Sequence, residues 1–194
     1  MSRTLCAMIL TLLLASCGGG YTAAPSTLDD ACMIARQQPK YVRAFKATER
    51  RWGVPAAVQM ATIYQESRFR SDARTPFRYA LGIIPMGRQS SAYGYSQALD
   101  GTWDEYRIAT GKRSAKRDNI RDAADFIGWY MNNSKEKNGI ELSDARNQYL
   151  AYHEGQSGFA AGSHKGKSWL LRTASEVEAR AVLYDAQLRG CRAY

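Results

Sequence analysis

The residue whose surroundings most invite chemistry is Glu66, the lone carboxylate of the segment VPAAVQMATIYQES (54–67). Gly53 and Pro55 open an apolar run there. At 100° per residue, Val54, Ala57, Val58 and Ala61 share one stripe, and Met60, Ile63 and Tyr64 cover much of the remainder. A helix of this kind is expected to be buried almost all round, with Gln59, Thr62 and Glu66 as its one polar seam. Burial disfavours the charged form of a carboxylate and raises its pKa, which suits a general acid working near neutral pH. The alternative is a structural Glu satisfied by an Arg or a backbone donor.

Two further segments carry polar and aromatic groups beside a Gly: YGYSQ (93–97) and AYHEG (151–155). A Gly at such a place lets backbone approach a ligand closely, or simply makes a turn. The elements that must position these groups read as helices. Periodicity predicts helices over Leu28–Gln38, Tyr41–Trp52, Pro55–Ser67 and Asp104–Thr110. Ile120, Ala123, Ala124, Ile127 and Met131 form a stripe after Asn119. Leu142, Ala145, Tyr149 and Tyr152 form another, with Ser143 or Asp144 near its start. Leu170, Ala174, Val177, Ala181, Tyr184 and Leu188 mark the last. No segment alternates as a central strand would. Residues 69–93, with Pro76, Gly82, Pro85 and Gly87, are irregular or a small hairpin, and a loop this long usually has a task.

The N-terminus points to export. After Arg3, an apolar run from Leu5 to Ala15 is too short to span a bilayer but has the length of a signal-peptide core. It ends in LASC (14–17), which resembles a bacterial lipobox and makes Cys17 the expected lipidation site. Residues 1–17 are thus read as a lipoprotein signal peptide, 18–27 as a flexible tether and 28–194 as one domain. No Asp follows Cys17, so the outer membrane is the expected anchor site, on the periplasmic side. Of four cysteines, Cys6 lies in the leader, leaving Cys32 and Cys191 to form a disulfide between first and last helices. His153 and His164 have no recognisable metal spacing, and neither metal nor cofactor is expected. The chain carries a net +9, one less without Arg3. Its Lys and Arg are scattered, and with export this argues against a nucleic-acid partner.

Taken in order, Gly53-Val54-Pro55, Glu66-Ser67, Gly94-Tyr95-Ser96-Gln97, Asn119-Ile120 and the 151–155 segment resemble lytic transglycosylases of the soluble type, the transglycosylase SLT domain. The resemblance covers about residues 41–160. It implies a mainly α, lysozyme-like single domain, with the loop or hairpin lying between the catalytic helix and the Gly94–Gln97 turn. It implies Glu66 as sole catalytic acid/base and Ser67 as a steadying hydroxyl. Gln97 and the Gly94 backbone would line a sugar cleft, and Tyr152 would stand near the carboxylate. Tyr95-Ser96 replaces a Leu-Met pair, and His153-Glu154 replaces Asn-Ala; these three, Tyr95, His153 and Glu154, complete the expected substrate-binding set. Tyr93, Trp103, Trp129 and Tyr130 are further stacking faces or, alternatively, core.

The implied reaction is cleavage of the β-1,4 bond between N-acetylmuramic acid and N-acetylglucosamine, with 1,6-anhydro ends. Peptidoglycan carries carboxylates, which a basic domain attracts. Arg68, Arg70 and Arg74 either contact those groups or form a solvated face. A monomer is expected, with room for a partner in an envelope complex. Two alternatives stay open: a hydrolytic lysozyme using Glu154 or Asp100 as second carboxylate, and a non-catalytic glycan-binding lipoprotein.

Overall fold

The structure is a computed structural model describing residues 24–194; the expected leader, Cys17 and tether residues 18–23 lie outside the described residues. Seven helices and one two-stranded hairpin make up the described chain. The mainly helical, lysozyme-like architecture expected from the sequence is what forms.

Each helix begins and ends where local chemistry requires. Helix α1 (Ala31–Gln37) is capped by Asp30, whose side chain accepts from the Met33 N–H at 3.0 Å. Helix α2 (Pro39–Trp52) carries Pro at its first position and ends at Gly53 in the left-handed region, φ 76°. Helix α3 (Ala56–Ser67) follows Pro55. Helix α4 (Asp100–Thr110) starts four residues earlier than periodicity suggested. The buried pair Trp103 and Tyr106 extends its apolar face, and Asp100 complements the positive N-terminal end of the helix dipole. Helix α5 (Ile120–Asn138) is capped by Asn119 and helix α6 (Ala145–Ala160) by Asp144. Gly155 breaks α6 with φ 78° and ψ 162°, a conformation open essentially only to glycine. Helix α7 (Ser168–Arg189) is the longest.

In the packing, α2 lies along α5, α3 along α7, and α6 touches both α5 and α7. The stripe of α5 from Ile120 to Met131 is wholly buried, as are Leu170, Ala174, Val177, Tyr184 and Leu188 of α7. Buried Asp125 joins α2, α4 and α5. It receives Arg51 and the Trp52 indole at 3.1 Å, the Tyr106 hydroxyl at 2.7 Å and Lys112 at 2.8 Å. Burial alone would raise its pKa; the hydrogen bonds from Lys112, Tyr106 and Trp52 outweigh that and hold the carboxyl below its usual range.

Residues 69–93 do contain a hairpin. Strand β1 (Phe77–Ala80) pairs antiparallel with β2 (Ile84–Arg88) in the register Phe77↔Arg88, Tyr79↔Pro85 and Ala80↔Ile84. The packed domain also starts before Leu28. Pro25 is buried, and Ser26 exchanges two hydrogen bonds with Gln37, at 3.0 and 2.8 Å.

Cys32 and Cys191 form the disulfide, tying the first helix to the residues after the last. Around it, Gln187 accepts from the Ala31 N–H and donates to the Asp29 carbonyl, and Arg180 pairs with Asp29 at 2.7 Å. Closing a loop of this length restricts the unfolded chain by about 5 kcal/mol in the entropic model. Cys32→Ser is therefore expected to lower the melting temperature by about 10–20 °C, at roughly 2–4 °C per kcal/mol. Calorimetry under oxidising conditions checks this; an unchanged melting temperature would remove the disulfide's stabilising role.

Candidate active site

Helix α3 is buried on nearly every side, with Ala56 to Ile63 inaccessible throughout. Its side-chain donors at Gln59, Thr62 and Ser67 are answered locally. The Gln59 amide donates to the Phe45 and Val54 carbonyls at 3.1 and 2.8 Å, and Thr62 Oγ1 to Val58 O at 2.9 Å. Ser67 Oγ donates to Ile63 O at 3.2 Å, so the hydroxyl beside Glu66 is engaged with its own helix. Beyond it the chain turns sharply. Arg68 and Phe69 both have positive φ, 52° and 59°, and Phe69 is fully buried, stacked on Tyr41 with ring centres 5.8 Å apart. Two successive non-glycine residues in this region are strained, and such turns persist only where packing dictates them.

Glu66 sits just before this turn, partly covered. Desolvation raises its pKa from 4.5 to about 7, while a hydrogen bond with the Tyr149 hydroxyl pulls the other way. No Arg or Lys among the described residues figures in its electrostatic surroundings, contrary to the structural alternative in which an Arg satisfies it. The same burial, reinforced by the Glu66 charge and hydrogen bond, pushes Tyr149 well above the usual tyrosine range. Tyr152, one turn further along α6, is raised by desolvation and then by Glu66. Its hydroxyl donates to the Ser96 carbonyl at 2.6 Å. Helix α6 thus links the carboxylate to the 94–97 turn, and three separate sequence segments converge. Tyr130 packs edge-on against Tyr152 at 5.0 Å, and Phe126 does so at 6.3 Å.

A family model described as Transglycosylase SLT domain matches residues 5–191. The chain belongs to that family. No curated protein matches it significantly. The assignment gives the SLT domain lytic-transglycosylase-type chemistry on peptidoglycan glycan as its functional class.

Within this SLT domain several expected site residues are occupied otherwise. Tyr95 is 1 % exposed, and its hydroxyl shares a hydrogen bond of 3.1 Å with that of Tyr41. It is therefore core and cannot stack on a sugar. Gly94 is also buried. A Cβ there would lie 2.2 Å from the Arg117 carbonyl oxygen, so its missing side chain admits the 117 backbone and not a ligand. Gln97, at φ 49°, donates its amide N–H groups to the Ala73 and Gly94 carbonyls at 2.9 and 2.8 Å. That bonding clamps the turn to the start of the hairpin segment. Trp103 is buried, and Trp129 and Tyr130 join Tyr106 and Phe126 in one aromatic cluster.

The Glu154 side chain lies near the surface, covered by its partners Lys167 at 2.8 Å, Ser163 and His153 at 3.0 Å. Lys167 above all, then Ser163, hold its pKa down to about 2. His153 is exposed and lies edge-on to Trp169. Asp100 pairs with Arg117 at 2.7 Å. It lines an open concavity of about 660 Å³ with Tyr93, Trp103 and Arg107, in which acids and bases neutralise one another. Neither carboxylate contributes to the shift at Glu66. The residue that sequence reasoning missed is Tyr149, which counted only as a member of the α6 stripe. Two tyrosines at i and i+3 facing the end of a carboxylate-bearing helix were the available signal.

A raised carboxyl pKa has a definite effect on stability. Between pH 4.5 and about 7 the folded chain holds a proton that the unfolded chain has lost, so stability falls as pH rises through that window. Fully ionised, the buried group is destabilising by up to about 3 kcal/mol. Glu66→Gln is expected to stabilise the fold by that order near pH 8 and by far less near pH 5, measured by urea melts. An equal effect at both values would contradict the shift.

Proposed function

We propose that the chain is a peptidoglycan lytic transglycosylase with Glu66 as its single acid/base. The observation that supports this reading most is a largely covered carboxylate with pKa near 7 that lacks a second carboxylate partner among the described residues. In its protonated form, well populated near neutral pH, Glu66 donates to the oxygen between N-acetylmuramic acid and N-acetylglucosamine as the C1–O bond breaks. The carbonyl oxygen of the muramoyl N-acetyl group closes on C1 and takes up the developing positive charge, the substrate-assisted route open to glycosidases without a nucleophilic carboxylate. Ionised Glu66 then removes the C6 hydroxyl proton. O6 displaces the acyl oxygen at C1, leaving a 1,6-anhydro end and consuming no water.

The Tyr149 hydrogen bond fits both halves of this cycle. It steadies the ionised form enough to release a proton, while burial keeps the resting form protonated. Tyr152 holds the wall of the site to the Ser96 carbonyl. We further assign Cys17 as the lipid-bearing residue, which would place the domain on the periplasmic side of the envelope, at the outer membrane. No helix among the described residues is long and apolar enough to cross a membrane. Ion pairing of Asp100 and Glu154 speaks against the hydrolytic alternative.

Mass spectrometry of purified peptidoglycan digested by the wild-type chain and by Glu66→Gln tests this. Anhydro-muramic ends from the wild type alone are expected. Reducing ends would mean hydrolysis, and no fragments from either would mean a glycan-binding role. Activity should decline as pH rises through about 7, the pKa of Glu66. In Tyr149→Phe the hydrogen bond favouring ionisation is gone, so that decline should move to higher pH; an unmoved profile would separate Tyr149 from the acid.

A further inference from the structure

The hairpin stands apart from the helical body in its contacts and its composition. Its strands pair with one another and pack against no helix. Phe77, Tyr79, Leu81, Ile83, Ile84 and Met86 are all substantially exposed, Leu81 at 90 % and Ile83 at 79 %. The remaining large exposed apolar residues, such as Leu99, Ile108 and Trp169, are dispersed over other elements. Phe77 and Tyr79 pair with Arg88 and Pro85 across a register irregularity, and Ala80 pairs with Ile84 on the other face, so exposed apolar side chains lie on both sides of the ribbon and around its tip. Leu81 also has φ 51°, in a turn where Ile83 N–H donates to Ala80 O at 3.2 Å. Asn or Gly would hold that conformation with less strain. Folding alone therefore does not account for a bare leucine at this place.

Charge narrows the choice of partner. From residue 73 to 99 there are three arginines, Arg74, Arg78 and Arg88, and no acidic residue. Arg74 stacks on Tyr93 at 4.1 Å, and Arg88 stacks on Phe77 at 4.3 Å while donating to Thr75 O at 2.6 Å. Arg74 and Arg88 thus gather at the open end of the ribbon, and Arg78 follows in β1, so the cations lie behind the apolar tip. A sugar chain finds nothing to hydrogen-bond on Leu81, Ile83, Ile84 or Met86. A protein groove would meet one apolar face and leave the other in water. A second copy of this chain would bring the two sets of arginines together. A bilayer interface suits a wedge apolar on both sides, with an amphipathic tyrosine and cations behind it.

We propose that the hairpin 77–88 is a membrane-contact element, its tip entering the boundary between headgroups and acyl chains of an anionic bilayer while Arg74, Arg78 and Arg88 meet the phosphates. It would hold the domain against a lipid surface in a set orientation, whether or not the N-terminus is lipidated.

The test places a reporter at the tip. The full chain carrying Ile83→Trp is mixed with phosphatidylcholine–phosphatidylglycerol vesicles whose acyl chains are brominated. Emission of the unsubstituted chain is subtracted to remove Trp52, Trp103, Trp129 and Trp169. The added emission is expected to be quenched severalfold. The quenching should fall severalfold in phosphatidylcholine alone, and equally when Leu81→Asp is added at this exposed position. Unquenched emission with the anionic vesicles would overturn the proposal. So would quenching indifferent to Leu81→Asp, or a tip shielded without lipid by self-association or a bound protein. Quenching equal in both vesicle types would remove the role of the arginines.

Discussion

Keeping one carboxyl group largely out of water, with no compensating cation among the described residues, is the constraint on which the rest of the structure depends. Glu66 can be desolvated only because α3 is itself enclosed by α7, α5 and α6. That enclosure requires the polar side chains of α3 to bond their own neighbourhood, as Gln59, Thr62 and Ser67 do. It also requires the chain to leave abruptly after Ser67, through two left-handed residues anchored by buried Phe69. The destabilisation at Glu66 and the strain after it are local, and the aromatic and disulfide-linked body around them is what tolerates both.

The second requirement is convergence. Tyr149 and Tyr152 sit one turn apart on α6, so a single helix both bonds the carboxyl group and fixes the 94–97 turn through Ser96. Gly94 and Gln97 complete this from the other side, the first by admitting the 117 backbone, the second by clamping the Ala73 carbonyl. In the SLT domain these motif residues shape the walls of the site, and Glu66 alone has the chemistry of an acid near neutrality. Glu154 shows the opposite outcome for the same side-chain type. Donors from Lys167, Ser163 and His153 surround it, and its proton is held far less tightly.

Much of this was legible in the sequence because helical periodicity reports burial directly. The stripes of α5 and α7, the all-round burial of α3 and the pairing of Cys32 with Cys191 all follow from residue type and position. Glu66 stood out for the same reason, as the one ionisable group on an apolar helix. What stayed hidden was direction. Tyr95 lies between Gly94 and Ser96 in a motif read as cleft-forming, and nothing in its spacing tells that its hydroxyl points inward to Tyr41. Gly94 was legible as a close approach, but not as an approach of Arg117. Tyr149 was absorbed into a core stripe because a buried tyrosine that bonds Glu66 and one that only packs share one pattern. The first turn of α4 was missed because Trp103 packs it from a position that periodicity over 104–110 does not sample.

The claim that everything else serves is that Glu66 still holds its proton in a large share of molecules near neutral pH. Its most direct test is a carbon-13 NMR titration of the side-chain carboxyl, assigned by its loss in Glu66→Gln. A midpoint near 7 is what desolvation with only Tyr149 opposing it predicts. A midpoint near 4.5, the ordinary value, would mean that water or an unseen cation reaches the group, and would contradict its role as the resting acid.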